Sequence, residues 1–77
     1  MTVMNADTME LDDRDLDVLA VLAEGRANPM LLRERTDYGK GSVNTSLNRL
    51  CRSGLTTQVT RALYEITPQG ERRLSDE

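Results

Sequence analysis

Asn28-Pro29-Met30-Leu31-Leu32-Arg33-Glu34-Arg35-Thr36-Asp37-Tyr38-Gly39-Lys40-Gly41-Ser42-Val43-Asn44-Thr45-Ser46-Leu47-Asn48-Arg49-Leu50-Cys51-Arg52-Ser53-Gly54 is the stretch that decides the fold. Asn28 can cap a helix whose first position, Pro29, has no N–H to leave unsatisfied. That helix is predicted from Pro29 to about Arg35, burying Leu31 and Leu32. Thr36-Asp37-Tyr38-Gly39 reads as a turn. A second helix follows from about Lys40 to Ser53, with Val43, Leu47, Leu50 and Cys51 at i, i+4, i+7 and i+8 on one apolar face. Gly54 ends it. Two short helices joined by a four-residue turn, the second amphipathic, make the helix-turn-helix pattern, in which the second helix lies in the DNA major groove.

Downstream, Leu55–Val59 and Leu63–Ile66 are rich in Leu, Thr, Val, Tyr and Ile and are separated by Thr60-Arg61-Ala62, which predicts a hairpin. Thr67-Pro68 then restarts a short helix carrying Leu74. Upstream, Asp12 or Asp13 caps a first helix that Gly25 stops. Its expected core stripe is Leu16, Leu19, Ala20 and Ala23, broadened by Val18 and Leu22, with Val21 beyond it. This is more apolar surface than one small core requires, so Val18, Val21 and Leu22 are the candidate homodimer interface. Arg26-Ala27 is a short connection or a one- to two-residue strand. Met1–Glu10 has no periodicity and reads as a flexible arm, leaving residues 11–75 as one domain. The fold class is mainly α with a small β-hairpin: a winged helix-turn-helix with a three-helix core, a two-stranded wing and a short C-terminal helix.

Composition narrows the chemistry. With no histidine and one cysteine, Cys51, neither a disulfide nor a tetrahedral zinc site can form within the chain. Cys–His and Ser–His pairs are ruled out for the same reason, and no Gly-rich phosphate loop follows a strand, so no enzyme is expected. No cofactor and no metal are expected either. The most apolar run, Leu16–Ala23, is interrupted by Asp17 and too short for a bilayer. Met1–Glu10 carries acids and lacks the features of a signal peptide, so the expectation is a cytoplasmic protein without a membrane partner. The acids of the first helix, Asp12, Asp13, Asp15 and Asp17, are explained by capping, the helix dipole and an acidic surface. Nine arginines against one lysine, with an acidic balance, fit a protein of a very salty cytoplasm; a high-GC genome also trades lysine for arginine.

The net charge of −3 conceals a strong asymmetry. Residues 1–24 hold seven acids and one base, whereas residues 25–75 hold nine bases and four acids. Tyr38 through Tyr64 contain no acid at all. Within that window the predicted solvent face of the second helix-turn-helix helix is Ser42, Asn44, Thr45, Asn48, Arg49 and Arg52, with Lys40 at its amino end. Asn and Arg can make bidentate hydrogen bonds to adenine and guanine edges, while Ser and Thr reach bases or phosphates. Gly39 and Gly41 leave the helix N-terminus bare, so that backbone N–H groups can meet a phosphate. Arg61 at the hairpin tip is the wing contact. Arg33 and Arg35 face solvent or lie near the DNA backbone, and Cys51 belongs to the core. Two aromatics, Tyr38 and Tyr64, are too few for a single-strand stacking platform and are expected to pack at the turn and under the hairpin.

Val43 through Leu50 to Gly54-Leu55, followed by Tyr64-Glu65-Ile66-Thr67-Pro68-Gln69-Gly70, resembles the winged-helix regulators of the MarR-like class, and most closely the small haloarchaeal repressors of the phage phi-H type. The resemblance covers roughly Asp12 to Leu74. It implies a recognition face carrying Ser42, Thr45, Asn48 and Arg49, and a wing carrying Arg61. The chain departs from the pattern in a wing tip without glycine and in a very short last helix, too short for the long-helix dimer of larger relatives. The expected function is sequence-specific binding of double-stranded DNA as a transcriptional repressor acting by promoter occlusion. The alternative is a winged-helix protein-interaction module that tethers partners through its acidic first helix.

Overall fold

The computed structural model describes residues 11–76; the expected arm, Met1–Glu10, lies outside the described residues. Four helices and one hairpin follow one another as α1 (Asp13–Glu24), α2 (Pro29–Thr36), α3 (Lys40–Arg52), β1 (Thr56–Thr60), β2 (Leu63–Ile66) and α4 (Pro68–Ser75). The starts of α1, α2 and α4 are each capped by a side chain. Asp12 and Asp15 form a reciprocal capping box, the Asp15 N–H donating to Asp12 Oδ1 at 2.9 Å and the Asp12 N–H to Asp15 Oδ2 at 3.2 Å. Asn28 Oδ1 accepts from the Leu31 N–H at 2.7 Å ahead of Pro29. Asp37 ends α2 in the left-handed conformation, at φ 66°.

The core is built from α1 (Val18, Leu19, Leu22), α2 (Leu32), α3 (Val43, Leu47, Leu50), and Ala27 and Leu55. Its α1 face corrects the expected stripe. The buried positions are Asp15, Val18, Leu19 and Leu22, while Ala20 and Ala23 are exposed and Leu16 is half-buried. The true stripe has the same i, i+3, i+4, i+7 spacing displaced by one residue, and it places a carboxylate where the wheel expected none. The correction extends to the dimer surface. Val18 and Leu22 are 0% and 1% exposed inside the monomer, and half-buried Val21 packs against the same core, so these residues are consumed by the fold. Leu31 also departs from expectation, 38% exposed on α2, because only Leu32 points inward from that short helix. Cys51 is half-buried rather than fully in the core, its Sγ 3.1 Å from Thr56 Oγ1.

The hairpin pairs Thr56 with Ile66, Thr57 with Glu65 and Gln58 with Tyr64; an irregularity between Gln58 and Thr60 then sets Thr60 against Leu63. The expected strand at Ala27 is a single antiparallel bridge, with N–H···O bonds of 3.0 and 2.9 Å exchanged between Ala27 and Tyr64. It fastens the α1–α2 connection to the hairpin, and Tyr64 is accordingly half-buried beneath it.

The Gly54-Leu55 and Thr67-x-x-Gly70 pairs, 13 and 15 residues apart, meet in space. Gly54 turns the chain out of α3 at φ 79°. The Thr67 N–H donates to the Leu55 carbonyl at 3.0 Å and the Thr67 hydroxyl to the Gly54 carbonyl at 2.8 Å. The same hydroxyl oxygen accepts from the Gly70 N–H at 3.0 Å, capping α4. Thr67 therefore joins the end of α3 to the start of the last helix, and Gly70 lets α4 lie directly on the Leu55 backbone.

Candidate nucleic-acid interface

α3 buries Val43, Ser46, Leu47 and Leu50 and presents Lys40, Gly41, Asn44, Thr45, Asn48 and Arg52 to solvent. Its N-cap, Gly39, makes no side-chain capping bond, and a Cβ at Gly39 or Gly41 would meet no atom within 4 Å. The first N–H groups of α3 are thus uncapped by side chains and open on the outside. Thr45, Asn48, Arg49 and Arg52 line a shallow concavity on the same face. Of the predicted residues, Lys40, Asn44, Thr45, Asn48 and Arg52 share this exposed face.

Two predicted residues have other engagements. Ser42 is half-buried, and its hydroxyl accepts from Arg14 Nη1 at 3.2 Å. Arg49 turns toward α1, its Nη1 lying 2.7 Å from Asp15 Oδ2 and 3.4 Å from Asp12 Oδ2. The Asp15 side chain is only 1% exposed and that of Arg49 33%. Hydrogen bonding and charge attraction from Asp15 raise the Arg49 pKa further above its ordinary value. Arg49 is therefore an anchor between α3 and α1, a role its place on the wheel did not reveal.

Arg14 is the residue that the sequence reading missed. It is the single base of residues 1–24, and the bond to Ser42 carries it to the first turn of α3. No ion pair holds Arg14, Lys40, Arg52 or Arg61 among the described residues, whereas Arg26 pairs with Glu65 and Arg35 with Glu24. Arg33 and Arg35 are exposed on α2. Arg61 is exposed in the hairpin turn, where its carbonyl accepts from Gln58 Nε2 at 2.6 Å. That side-chain bond and the strand irregularity close the turn without a glycine and without a positive φ.

Tyr38, expected to pack at the turn, does so half-buried and donates its phenolic hydrogen to Asp17 on α1. The hydrogen bond to Asp17, then burial, raises the Tyr38 pKa above its ordinary 10.0. A raised folded-state pKa gives stability that is fully present below 10.0 and lost as the pH rises through the folded value. Wild-type Tm should fall through that alkaline range, and the profile of Tyr38→Phe should be flatter in melts followed by circular dichroism. At the other end, the Asp15 N–H and the Arg49 charge hold the Asp12 carboxyl below its ordinary 3.8. Its contribution is present above 3.8 and is lost as the pH falls through the lowered value.

Among the described residues, no group of three or more His, Cys, Asp or Glu is placed to hold a metal ion, and no helix is long and apolar enough to cross a membrane. A three-helix core with an antiparallel two-stranded wing and a closing helix is the winged-helix fold. The solved structure of T. acidophilum IdeR is similar, with a TM-score of 0.67 and 22% identity over 86% of this chain. The similarity spans 32% of that longer protein, and at this identity it concerns the fold alone. No protein-family model matches the sequence, and no curated protein is similar to it.

Proposed function

We propose that the chain is a sequence-specific double-stranded DNA-binding transcriptional regulator of the MarR-like kind, a repressor that acts by occluding a promoter in the cytoplasm of a halophilic archaeon. One observation carries this reading: the exposed face of α3 bears Lys40, Asn44, Thr45, Asn48 and Arg52 and no carboxylate, in a chain with thirteen acids. Asn44, Asn48 and Arg52 read base edges in the major groove, and Thr45 reaches a base or a phosphate. Lys40, the N–H groups at Gly39 and Gly41, and Arg14 beside Ser42 hold the flanking backbone. Arg61 carries the wing to the neighbouring backbone or minor groove. A two-fold operator calls for a dimer; its surface must lie elsewhere than Val18 and Leu22.

A second reading, a protein-interaction module, finds some support in α2, where Met30 is 63% and Leu31 38% exposed. Asn48→Ala with Arg52→Ala separates the two, since both side chains are exposed and off the core. Loss of duplex binding with an unchanged Tm supports the DNA reading; retained duplex binding contradicts it.

Gly41 supplies a sharper test. A glycine inside a helix costs up to about 1 kcal/mol relative to alanine, and here no neighbouring atom requires it. Gly41→Ala should therefore raise Tm by a few degrees. If a phosphate sits against the helix backbone, the same methyl stands in its way, and duplex affinity should fall several-fold. A variant more stable yet weaker in binding is the expected result, read by thermal melting and fluorescence anisotropy.

A further inference from the structure

The core position Asp15 is the feature that packing explains least. It occupies the i position of a stripe otherwise made of Val18, Leu19 and Leu22, fully buried, and its Oδ1 has no hydrogen-bond partner among the described residues. An apolar side chain would fill such a place at no desolvation cost, and buried ion pairs are commonly no more stabilising than apolar replacements. The carboxylate must be understood through what it holds. Its other oxygen, 2.7 Å from Arg49, meets a cation that borders the concavity of Thr45, Asn48 and Arg52.

We infer that Asp15, with Asp12 behind it, is a specificity-determining residue that neutralises Arg49 and so keeps a recognition-helix arginine from binding phosphates of any sequence. This rests on the DNA-binding reading above. A free arginine on that edge would release about one further counter-ion from any duplex and strengthen specific and nonspecific complexes alike. Held by two carboxylates, it adds rigidity to the α1–α3 junction and little indiscriminate attraction. Discrimination is then left to uncharged Asn44 and Asn48 and to Arg52.

The test is a KCl titration of binding to a duplex from upstream of the gene and to a scrambled duplex, comparing the whole chain with Asp15→Asn. Asparagine keeps the shape, and its amide oxygen can still accept the Asp12 N–H. The log-affinity against log-salt slope should steepen by about 0.9, and the scrambled duplex should gain more affinity than the native one. Asp12→Asn, an equally good cap, should shift the slope less and in the same direction; it decides the matter if Asp15→Asn melts early. Asp13→Asn removes the same charge from the same turn without touching Arg49, and its slope should stay at the wild-type value. A wild type that binds, with unchanged slopes in the Asp12 and Asp15 variants, overturns this inference alone. So does an Asp13 variant that matches Asp15→Asn. A wild type that binds neither duplex overturns the functional reading, and this inference with it.

Discussion

Gly70→Ala should leave the domain largely unfolded at ordinary temperature. A Cβ built there stands 2.2 Å from the Leu55 carbonyl oxygen and 2.7 Å from Ile66 Cγ1. The first neighbour is backbone, held in place because Leu55 also accepts the Thr67 N–H and donates its own N–H to Leu50. Relief requires α4 to lift away from the end of α3, breaking the Thr67 cap and uncovering half-buried Ile66 and Leu74. Forcing a methyl into such a contact costs about 3 kcal/mol or more, against the roughly 3–5 kcal/mol that a core of this size supplies. Circular dichroism melts should show a lost or very low transition. A cooperative transition near the wild-type Tm would mean that α4 does not lie on Leu55 as described.

The second large effect separates two neighbouring arginines of α3. Arg49→Ala strands Asp15, 0% exposed, without its counter-charge. Breaking a buried pair by removing one partner is strongly destabilising, and Tm should fall by about ten degrees or more. Arg52 is exposed and unpaired among the described residues, so Arg52→Ala should leave Tm within about two degrees while duplex affinity falls about tenfold or more. Replacing the pair as a whole, Asp15→Leu with Arg49→Met, should recover most of the stability that Arg49→Ala loses, since no charge is then buried. Equal Tm values for Arg49→Ala and Arg52→Ala would contradict the anchor role. The contrast also shows why a joint Arg49 and Arg52 alanine variant is a poor probe of DNA binding: it confounds lost contacts with a lost fold.

The elements were legible because their boundaries are chemical. Asn28-Pro29, Thr67-Pro68 and Gly54 each mark an end that the helices observe. The hairpin followed from β-branched runs around a short break, and the bridge at Ala27 falls in the short Arg26-Ala27 connection between two helices. The phase of α1 was not legible. Leu16 through Ala23 is apolar at nearly every position, so two stripes one residue apart fit equally well, and the choice between them depends on Asp15. A carboxylate is admissible in that stripe only because Arg49, 34 residues later, reaches it. Local pattern carries no trace of such a partner, and a stripe displaced by one residue leaves Val18, Val21 and Leu22 as surplus apolar surface, which is why they read as a dimer interface. The α3 face was read from residue types alone and assigned five positions to solvent correctly, but it could not tell that Arg49 and Ser42, one turn-pair apart on the α1 flank, were already engaged. Arg14 was overlooked for the converse reason, a cation hidden among acids whose reach across to Ser42 is tertiary.

The proposed function requires α3 to meet double-stranded DNA through a few cations and several uncharged hydrogen-bonding groups. Fluorescence anisotropy with a duplex from upstream of the gene, and with a scrambled duplex, across KCl concentrations up to molar, tests this most directly. Arg14, Lys40, Arg52 and Arg61, held in no ion pair among the described residues, predict a log–log salt slope of about −3 to −4 per protomer, with a preference for the native duplex that persists as salt rises. Equal binding to both duplexes that vanishes with salt, or binding to neither, would contradict it.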